Sequence, residues 1–394
     1  MKGGVIKQVR GWIGGLVGLT LLIALVLALN FVFQAQVTQT GAAPPPTSAM
    51  ADMWKNATLD TIQFGEPRAV FTYTAGIKIY DWLPDNRRLL VELEDPITQN
   101  PNARYRVVTL DVETGQLVEY GRRMDWSERT PVWLEKVPGV AFVTWNTWTG
   151  ESPKVLLGMA GGHMRILDEH ANATLAVDPR TGYLLYLKPE TPQQPLWAVD
   201  VVSGRMVESP LMQANLPDGQ LRIDPTGQWL VSMGDYFNRA PLYLANRNKG
   251  QINKIEFKSW RALDAIWSPH GNNLALILGT GDGLLTQSQI ALLNPENLEW
   301  HFINLPTQFV IEVDWGPSER YFLVRGVPLE HEISTPHKLW LVDTTSGGWK
   351  ETSNFPPIIH PESIFMAWSK TGQVAFLRGH QIMVTQALLG RTIR

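Results

Sequence analysis

Histidines with acidic neighbours are the residues of this sequence best suited to hold a metal ion. His331 and His337 lie in one polar stretch with two glutamates, and His163 and His170 lie in another with Asp168. Imidazole nitrogen and carboxylate oxygen are common zinc ligands. Neither stretch has the His-Glu-x-x-His spacing of a zinc helix. We therefore predict no metal site, with His331 and His337 as the candidates to check.

The sequence lacks the usual signatures of enzymes. It contains no Gly-x-Ser-x-Gly nucleophile elbow and no Asp-x-Asp-x-Asp-Gly calcium loop. It has no cysteine, which excludes a thiol nucleophile, a thiolate metal site, a disulfide and a covalently attached haem. The glycine-rich run at 279–283 lacks the Lys-Ser/Thr pair of a phosphate-binding loop. These absences predict a non-catalytic role without a cofactor.

Arginine and aromatic side chains are concentrated between the predicted strands. These side chain types are enriched at the centres of protein interfaces, and loops on a rigid scaffold are where binding residues usually lie. We predict that they form one face that binds a protein partner. The alternative is that some of the aromatics only fill gaps between sheets. The predicted face consists of Arg122, Arg123, Trp126, Trp145, Trp148, Tyr236, Phe237, Arg239, Trp260 and Arg261.

A repeat of short strands must position these residues. An apolar strand ends at Trp267, a Ser-Pro-His-Gly turn follows, and a second apolar strand begins at Leu274. Related strand–turn–strand patterns recur 44 to 53 residues apart along the chain. We place the origin of each repeat at the last residue before the turn. These origins are Trp82, Trp133, Val177, Ile223, Trp267, Trp315 and Trp368.

A second turn recurs within the repeats, as Asp-x-x-Thr/Ser-Gly beginning at Asp111, Asp200 and Asp343. In such a turn glycine supplies the positive φ that other residues avoid. Two turns in a repeat of roughly 45 residues, joined by alternating apolar strands, are typical of a four-stranded antiparallel unit.

Seven such units predict an all-β fold, a seven-bladed β-propeller of four-stranded antiparallel blades, preceded by one transmembrane α-helix. We place the propeller at 60–394, with blades starting near 77, 128, 172, 218, 262, 310 and 363. The last repeat begins too close to the C-terminus for a complete blade. A strand at 68–74 is expected to complete it, which closes the ring and removes open sheet edges.

Residues 12–33 form an uncharged apolar run, long enough to cross a bilayer as a helix. Lys2, Lys7 and Arg10 precede it, so the positive-inside rule makes 1–11 a cytoplasmic basic tail and places the rest of the chain outside. The alternative is a cleaved signal peptide, but its apolar region usually has only about 7–15 residues. We predict a retained single-pass anchor in the cell membrane, followed by a proline-containing linker at 34–59.

The start of the anchor carries glycines in a four-residue spacing, at Gly11, Gly14, Gly15 and Gly18. Small residues at this spacing let a second helix pack closely, so we predict a helix–helix contact here. The alternative is that glycine is simply frequent in membrane helices.

The overall charge bears on the class of partner. The chain has 34 basic and 37 acidic residues, a formal net charge of -3. Proteins that bind nucleic acid usually present a basic surface. We therefore predict no nucleic acid partner.

The Trp-Ser-Pro-x-Gly pattern resembles the WD-repeat-like propeller repeat of TolB-type periplasmic proteins, over residues 60–394. The aspartate that this family carries in the turn is present only as Asp85. The Asp-x-x-Thr-Gly turns also resemble those of pyrroloquinoline-quinone propellers. In that family a tryptophan follows the glycine, whereas Tyr120, Ser209 and Thr352 or Trp349 stand near that place here, which makes the match poor.

Together these features predict a membrane-anchored extracytoplasmic propeller that is a non-catalytic binding or scaffolding subunit, with membrane or extracytoplasmic proteins as partners. The alternative is an anchored enzyme, a hydrolase, a lyase or a quinoprotein-like oxidoreductase, with its site at the mouth of the central channel. Three or more ionisable groups converging in the channel would favour the enzyme, and an apolar or plugged channel the scaffold.

Overall fold

In the computed structural model, the residues whose structure is described are 53–98, 103–123, 131–144, 153–170, 175–188, 196–207, 216, 219–234, 241–281, 285–329, 337–352 and 366–390. The predicted membrane helix at 12–33 lies outside these ranges, as do Gly11, Gly14, Gly15 and Gly18. Among the described residues, no helix is long and apolar enough to span a membrane. The anchor therefore stays a prediction.

The described residues form seven antiparallel sheets. A helical turn at 53–56 and a 3-10 turn at Leu59–Thr61 precede β1 (Ile62–Phe64) and β2 (Arg68–Thr72). Blade 1 consists of β3 (Ile77–Trp82), β4 (Arg88–Glu94), β5 (Tyr105–Asp111) and β6 (Leu117–Arg123). Blade 2 consists of β7 (Val132–Leu134), β8 (Gly139–Thr144), β9 (Lys154–Met159) and β10 (His163–Asp168). Blade 3 consists of β11 (Ala176–Val177), β12 (Leu184–Leu187), β13 (Leu196–Val199) and β14 (Met206–Val207).

The remaining blades repeat this arrangement. Blade 4 consists of β15 (Gly219–Ile223), β16 (Trp229–Gly234), β17 (Leu242–Asn246) and β18 (Gln251–Ile255). Blade 5 consists of β19 (Arg261–Trp267), β20 (Leu274–Thr280), β21 (Gln287–Leu293) and β22 (Trp300–Ile303). Blade 6 consists of β23 (Thr307–Trp315), β24 (Tyr321–Pro328), β25 (Lys338–Asp343) and β26 (Trp349–Glu351). Blade 7 contains β27 (Met366–Trp368), β28 (Gln373–Arg378) and β29 (Gln381–Leu389). The predicted all-β, seven-bladed propeller is confirmed.

The first strands of the blades surround the central axis. They contact one another in order from β7 through β27, and β27 then contacts β3. Six of these strands end at the residue that we took as the repeat origin, and β7 ends one residue after Trp133. The recurring repeat origins therefore mark the end of the first strand of each blade.

Tryptophans at the repeat origins join neighbouring blades. Trp82, Trp267, Trp315 and Trp368 are all buried. Trp82 donates its Nε1–H to the carbonyl of Ala367 in the preceding blade, at 2.8 Å. Trp315 makes the equivalent bond, at 3.0 Å, to the residue before Trp267. These side chains pack between blades and are unavailable to a partner.

The turns after the first strands hold one another on one side of the ring. Arg180 of blade 3 donates from Nε to the carbonyl of Thr226 in blade 4, at 2.7 Å. The amide of Lys370 in blade 7 donates to Asn86 of blade 1, at 3.1 Å. Further turn-to-turn bonds join Lys136 to Thr181 and Ser268 to Glu319. Long polar side chains near the position of the missing turn aspartate thus link successive blades; we call this side the tight-turn face.

The start of the chain completes the last blade. Both β1 and β2 pair antiparallel with β29, with Phe64 opposite Ala387 and Arg68 opposite Val384. Trp54, which precedes them, is buried, and its ring lies 5.6 Å from that of Trp368. The propeller core therefore extends into the end of the segment 34–59 that we assigned to the linker. The chain enters the ring at the tight-turn face, because Trp368 ends the first strand of blade 7.

Candidate functional site in the central channel

A cavity of about 590 Å³ lies in the channel and is lined by the first strands of all seven blades. On the tight-turn side its lining includes Pro84, Asn86, Glu135, Ser369 and Lys370, which belong to turns that follow first strands. The cavity therefore extends along the axis to the tight-turn face. Its volume is in the range of small-molecule sites.

Three aspartates on first strands line this cavity: Asp81 on β3, Asp264 on β19 and Asp314 on β23. In each of these strands the pairing register with the second strand shifts within four residues before the aspartate. The first strands of the other four blades pair regularly. A β-bulge redirects the side chains that follow it and is common beside functional sites. Among the described first strands, the bulges thus occur in the three that themselves carry a channel carboxylate.

Backbone amides fix the orientation of these carboxylates. Asp81 accepts a hydrogen bond at Oδ1 from the amide of Trp82, at 2.7 Å. Asp264 accepts one in the same way from Ala265, at 2.8 Å. Asp314 accepts at Oδ2 from the amide of Trp368 in the next blade. A bond to the neighbouring amide restricts χ1, so the second oxygen of Asp81 and of Asp264 is held in a defined position.

Asp314 also belongs to a structural junction between blades 6 and 7. Glu312, two residues earlier on β23, accepts at Oε1 from the amide of Met366, at 3.0 Å. Its other oxygen lies 3.0 Å from Nε of the buried Arg325. Two side chains on β23 therefore accept the amides of alternate residues on β27, and this holds the first strands of the two blades together.

The channel changes the protonation of its carboxyls. Burial raises the pKa of Asp81 to about 6, opposed by the Trp82 amide and by the charge of Lys370. Asp81 is reached by water, but only through the channel, where protein surrounds the carboxyl. Burial, followed by the negative charges of Asp81 and Glu312, raises the pKa of Asp314 well above its usual range. Both carboxyls therefore hold a proton more readily than an ordinary aspartate does, and Asp314 is additionally affected by two neighbouring negative charges.

Basic side chains line the same cavity. Nη2 of Arg222 on β15 lies 3.5 Å from Oδ1 of Asp264, and both side chains are partly exposed to the channel. Lys370 lies on the turn after β27. The ionisable lining residues are Asp81, Glu135, Arg222, Asp264, Asp314 and Lys370.

The predicted partner face is only partly described. Arg122 is half-buried and pairs with Asp95 at 2.8 Å and with Glu119 at 3.1 Å. Trp260 is half-buried, and its ring lies 5.1 Å from that of Phe302; Arg261 begins β19 and is also half-buried. The other predicted residues lie outside the described ranges. These are Trp126, Trp145, Trp148, Tyr236, Phe237 and Arg239.

Arg123 differs from the exposed residue that we expected. Its side chain is fully buried and ion-paired with the equally buried Glu92, with Nη2 at 3.1 Å from Oε2. Nη2 also donates to the hydroxyl of Tyr80, at 3.0 Å. Burial raises the pKa of Glu92. The charge and hydrogen bond of Arg123, together with Tyr80 and Lys78, outweigh burial, so the pKa is lower than that of an ordinary glutamate. Arg123 is the last residue of β6, and its side chain is buried inside blade 1. It therefore belongs to an internal ion pair and is unavailable to a partner.

The histidine candidates do not assemble into a site among the described residues. His337 is buried at the start of blade 6's third strand, and His331 lies outside the described ranges. Asp168 is paired with Lys188 at 2.6 Å and accepts from Tyr186 at 2.6 Å. Within the described residues, no group of three or more His, Cys, Asp or Glu side chains is arranged to hold a metal ion.

Comparison with known proteins identifies the fold class. No protein-family model and no curated protein matches the sequence. Among solved structures, the GH74 enzyme of Niastella koreensis aligns at 12% identity and a TM-score of 0.56, covering 82% of this chain and 53% of that one. The oligogalacturonate lyase of Vibrio parahaemolyticus aligns at 14% identity and a TM-score of 0.53, covering 84% and 92%.

TolB of Acinetobacter baumannii also matches, at 14% identity and a TM-score of 0.42, covering 75% of this chain and 79% of that one. TolB is thus among the propeller structures that match this chain. These likenesses establish the fold alone. The chain is a β-propeller repeat protein with seven blades.

The channel aspartates were not among the site residues predicted from the sequence. A signal for two of them was present, since Asp81 and Asp314 each directly precede a repeat-origin tryptophan. Asp264 precedes its tryptophan by three residues, and no spacing rule connects it to the other two. Only the bulges bring all three to the same cavity.

Proposed function

We propose that the propeller works through its central channel, where it binds a small polar molecule. The observation that carries this proposal is the convergence of Asp81, Asp314 and Lys370 in one cavity. An apolar or plugged channel would have favoured a scaffold, whereas the described cavity is open and lined by six ionisable side chains. A concave site with a few converging polar groups is the usual form of a ligand pocket.

The same pair places two carboxyls with raised pKa values and different surroundings in one cavity, an arrangement in which one can act as an acid and the other as a base. Catalytic carboxyls that differ in protonation near neutral pH are the arrangement used by many hydrolases and lyases. In that role, Asp314 would donate a proton and Asp81 would accept one. Two of the similar folds are named as a GH74 enzyme and an oligogalacturonate lyase. The support for chemistry here comes from the two aspartates, since likeness of fold does not carry function.

A ligand screen with matched variants tests the proposed site. Small polar compounds are screened by thermal shift against the full-length protein in detergent, because a ligand that binds only the folded state raises its Tm. We expect compounds whose shift is lost in D81N and kept in E169Q, which changes an exposed carboxylate outside the cavity. If no compound gives a shift that depends on Asp81, the channel is not the site.

Partner binding through the loops is a second candidate function. It is supported by a partly exposed aromatic group, in which Phe302 lies 5.1 Å from Trp260 and 5.2 Å from Trp300. Truncation of an interface anchor typically costs about 2 kcal/mol or more of binding energy. W260A is then expected to reduce the capture of partners that co-purify in mild detergent, at a nearly unchanged Tm. An early melt with unchanged capture would make Trp260 a packing residue.

The membrane anchor also belongs to the proposal. It is supported by the apolar, uncharged sequence at 12–33 and by the basic residues that precede it. A reporter that is active only outside the cytoplasm can be fused to the C-terminus. We expect the fusion protein to be active and to sediment with membranes. Release of the reporter into the soluble fraction would indicate a cleaved signal peptide.

A further inference from the structure

The cavity is lined by four acidic and two basic side chains, and this excess of acidic groups favours cationic ligands. Acidic groups come from blades 1, 2, 5 and 6, at Asp81, Glu135, Asp264 and Asp314. Of the two basic groups, Arg222 is already 3.5 Å from Asp264. An anionic ligand would therefore face mostly carboxylates, and a cationic one would find several acceptors.

Two of the channel aspartates, Asp81 and Asp264, each have one carboxylate oxygen available to a ligand. Oδ1 of Asp81 and Oδ1 of Asp264 are each occupied by the amide of the next residue. Among the described residues, Oδ2 of either aspartate accepts no hydrogen bond. A carboxylate oxygen in a restricted cavity is strongest as a partner for a charged donor such as an ammonium group.

The bulges supply an argument that is independent of the charges. A bulge leaves a residue of the ladder unpaired and so lowers the regularity of a sheet; the described first strands have four such shifts, one in β3, one in β19 and two in β23. Their positions coincide with the three aspartates of the cavity. The first strand of blade 3, which has no bulge, contributes only the apolar Leu175, Ala176 and Val177 to the lining. Irregular pairing is thus found where carboxylates are aimed into the channel.

Ionisation of both carboxyls in the cavity costs free energy. Burial, followed by the negative charges of Asp81 and Glu312, raises the pKa of Asp314, and burial also raises the pKa of Asp81. A bound cation stabilises the ionised form of both carboxyls. By linkage, a ligand that favours the deprotonated state releases a proton as it binds.

We propose that the channel selects a small organic cation, such as a primary amine, whose ammonium group binds to the open Oδ2 of Asp81, beside the carboxyl of Asp314. The proposal deepens the proposed function and rests on it. Aromatic and apolar lining residues, including the half-buried Trp133, contact the body of the ligand. Binding transfers a proton from the Asp314 carboxyl to water, and the ligand keeps its own.

Six of the seven blades contribute charged groups around the pair, and the described residues of blade 3 contribute none. The groups concerned are Asp81 on β3, Glu135 after β7, Arg222 on β15, Asp264 on β19, Glu312 and Asp314 on β23, and Lys370 after β27. Of these, Lys370 is the cation that acts on Asp81. It therefore competes with the ligand for the same carboxylate.

Probes of matched shape and different charge test the selection. Glucosamine, glucose and glucuronate are titrated calorimetrically into the full-length protein near pH 7, with putrescine as a second cation. We expect a cation to bind with a Kd of about 1 mM or tighter, and glucose and glucuronate to bind at least about tenfold more weakly. Repeating the titration in two buffers of different ionisation enthalpy is expected to show proton release, which simple surface binding would not give.

Variants separate recognition from packing. D81N and D314N are expected to weaken cation binding at least about tenfold, and E169Q is expected to leave it unchanged. K370Q removes the competing charge and is expected to tighten it, an effect that damage to the fold would not produce. Glucose bound as well as glucosamine, with both lost in D81N, would keep the channel site and overturn the cation proposal. Binding of neither cation, or binding indifferent to D81N, would also overturn it.

Discussion

Asp81 and Asp314 occupy the same position of the repeat, directly before the tryptophan that ends a first strand. Their environments nevertheless differ. Asp314 is tied to the next blade through the amide of Trp368, whereas Asp81 bonds only to its neighbouring amide among the described residues. This difference makes Asp81 the more accessible group and Asp314 the more constrained one. A repeat can therefore produce two unlike carboxyls from one sequence position.

The raised pKa of Asp81 predicts how its replacement alters stability with pH. An unfolded aspartate has a pKa of about 3.9, and Asp81 in the folded protein has a pKa of about 6. The folded state binds this proton more tightly, so the stabilisation is full below about pH 4 and is lost as the pH rises through about 6. D81N cannot ionise and escapes this loss.

We therefore expect the Tm of D81N, relative to that of the unmodified protein, to increase between about pH 4 and about pH 7. Thermal melts of both proteins at several pH values measure the difference. The effects of carboxyls that do not interact with Asp81 cancel in it, whereas Asp314, whose pKa the charge of Asp81 raises, contributes to it. A difference that stays constant with pH would show that Asp81 titrates normally.

The neighbours Arg122 and Arg123 give a matched test of exposed and buried charge. Arg123 and Glu92 are both fully buried, and removal of one partner of such a pair costs about 3–5 kcal/mol. Arg122 makes its ion pairs near the surface, where a pair contributes roughly 0–1 kcal/mol. Urea unfolding is expected to show R123A strongly destabilised and R122A nearly unchanged. Equal losses would mean that Arg123 is not an internal residue.

At the scale of elements, the segment that closes the ring was only partly visible in the sequence. The strand at 68–74 was predicted from the incomplete last repeat, and β2 pairs with β29 there. β1 and Trp54 were not predicted, because one tryptophan and a three-residue strand carry no periodicity. Their burial depends on contacts with Tyr321 and Trp368, which are far away in sequence.

This closure makes Trp54 a test of how the ring is held. Its side chain is 2% exposed, and loss of a buried tryptophan side chain costs about 3–5 kcal/mol. W349A is the matched control, since Trp349 is 40% exposed on an outermost strand and its loss is expected to cost less than about 1 kcal/mol. Denaturant unfolding measures both. A W54A protein as stable as W349A would show that the segment before β1 does not hold blades 6 and 7 together.

At the scale of the whole molecule, the repeat determined the architecture and left the site undetermined. The origins at Trp82, Trp267, Trp315 and Trp368 predicted the ends of first strands, because a turn and a buried tryptophan are local features. The cavity depends on bulges in β3, β19 and β23, which no residue pattern marks. The sequence therefore predicted individual binding residues only between the strands, where arginine and tryptophan are concentrated. It predicted a channel site only as the alternative, without naming its residues.

The strand ends opposite the tight turns and the central channel thus offer competing locations for function. Of the described residues predicted to bind a partner, Arg122, Trp260 and Arg261 lie at those strand ends, and the channel carries the carboxylates. The direct measurement is an experimental structure of the protein with the tightest compound from the ligand screen. We expect density for that compound in the cavity, in contact with Asp81 and Asp314. A compound bound among the loops, with the channel empty, would contradict the channel as the site of function.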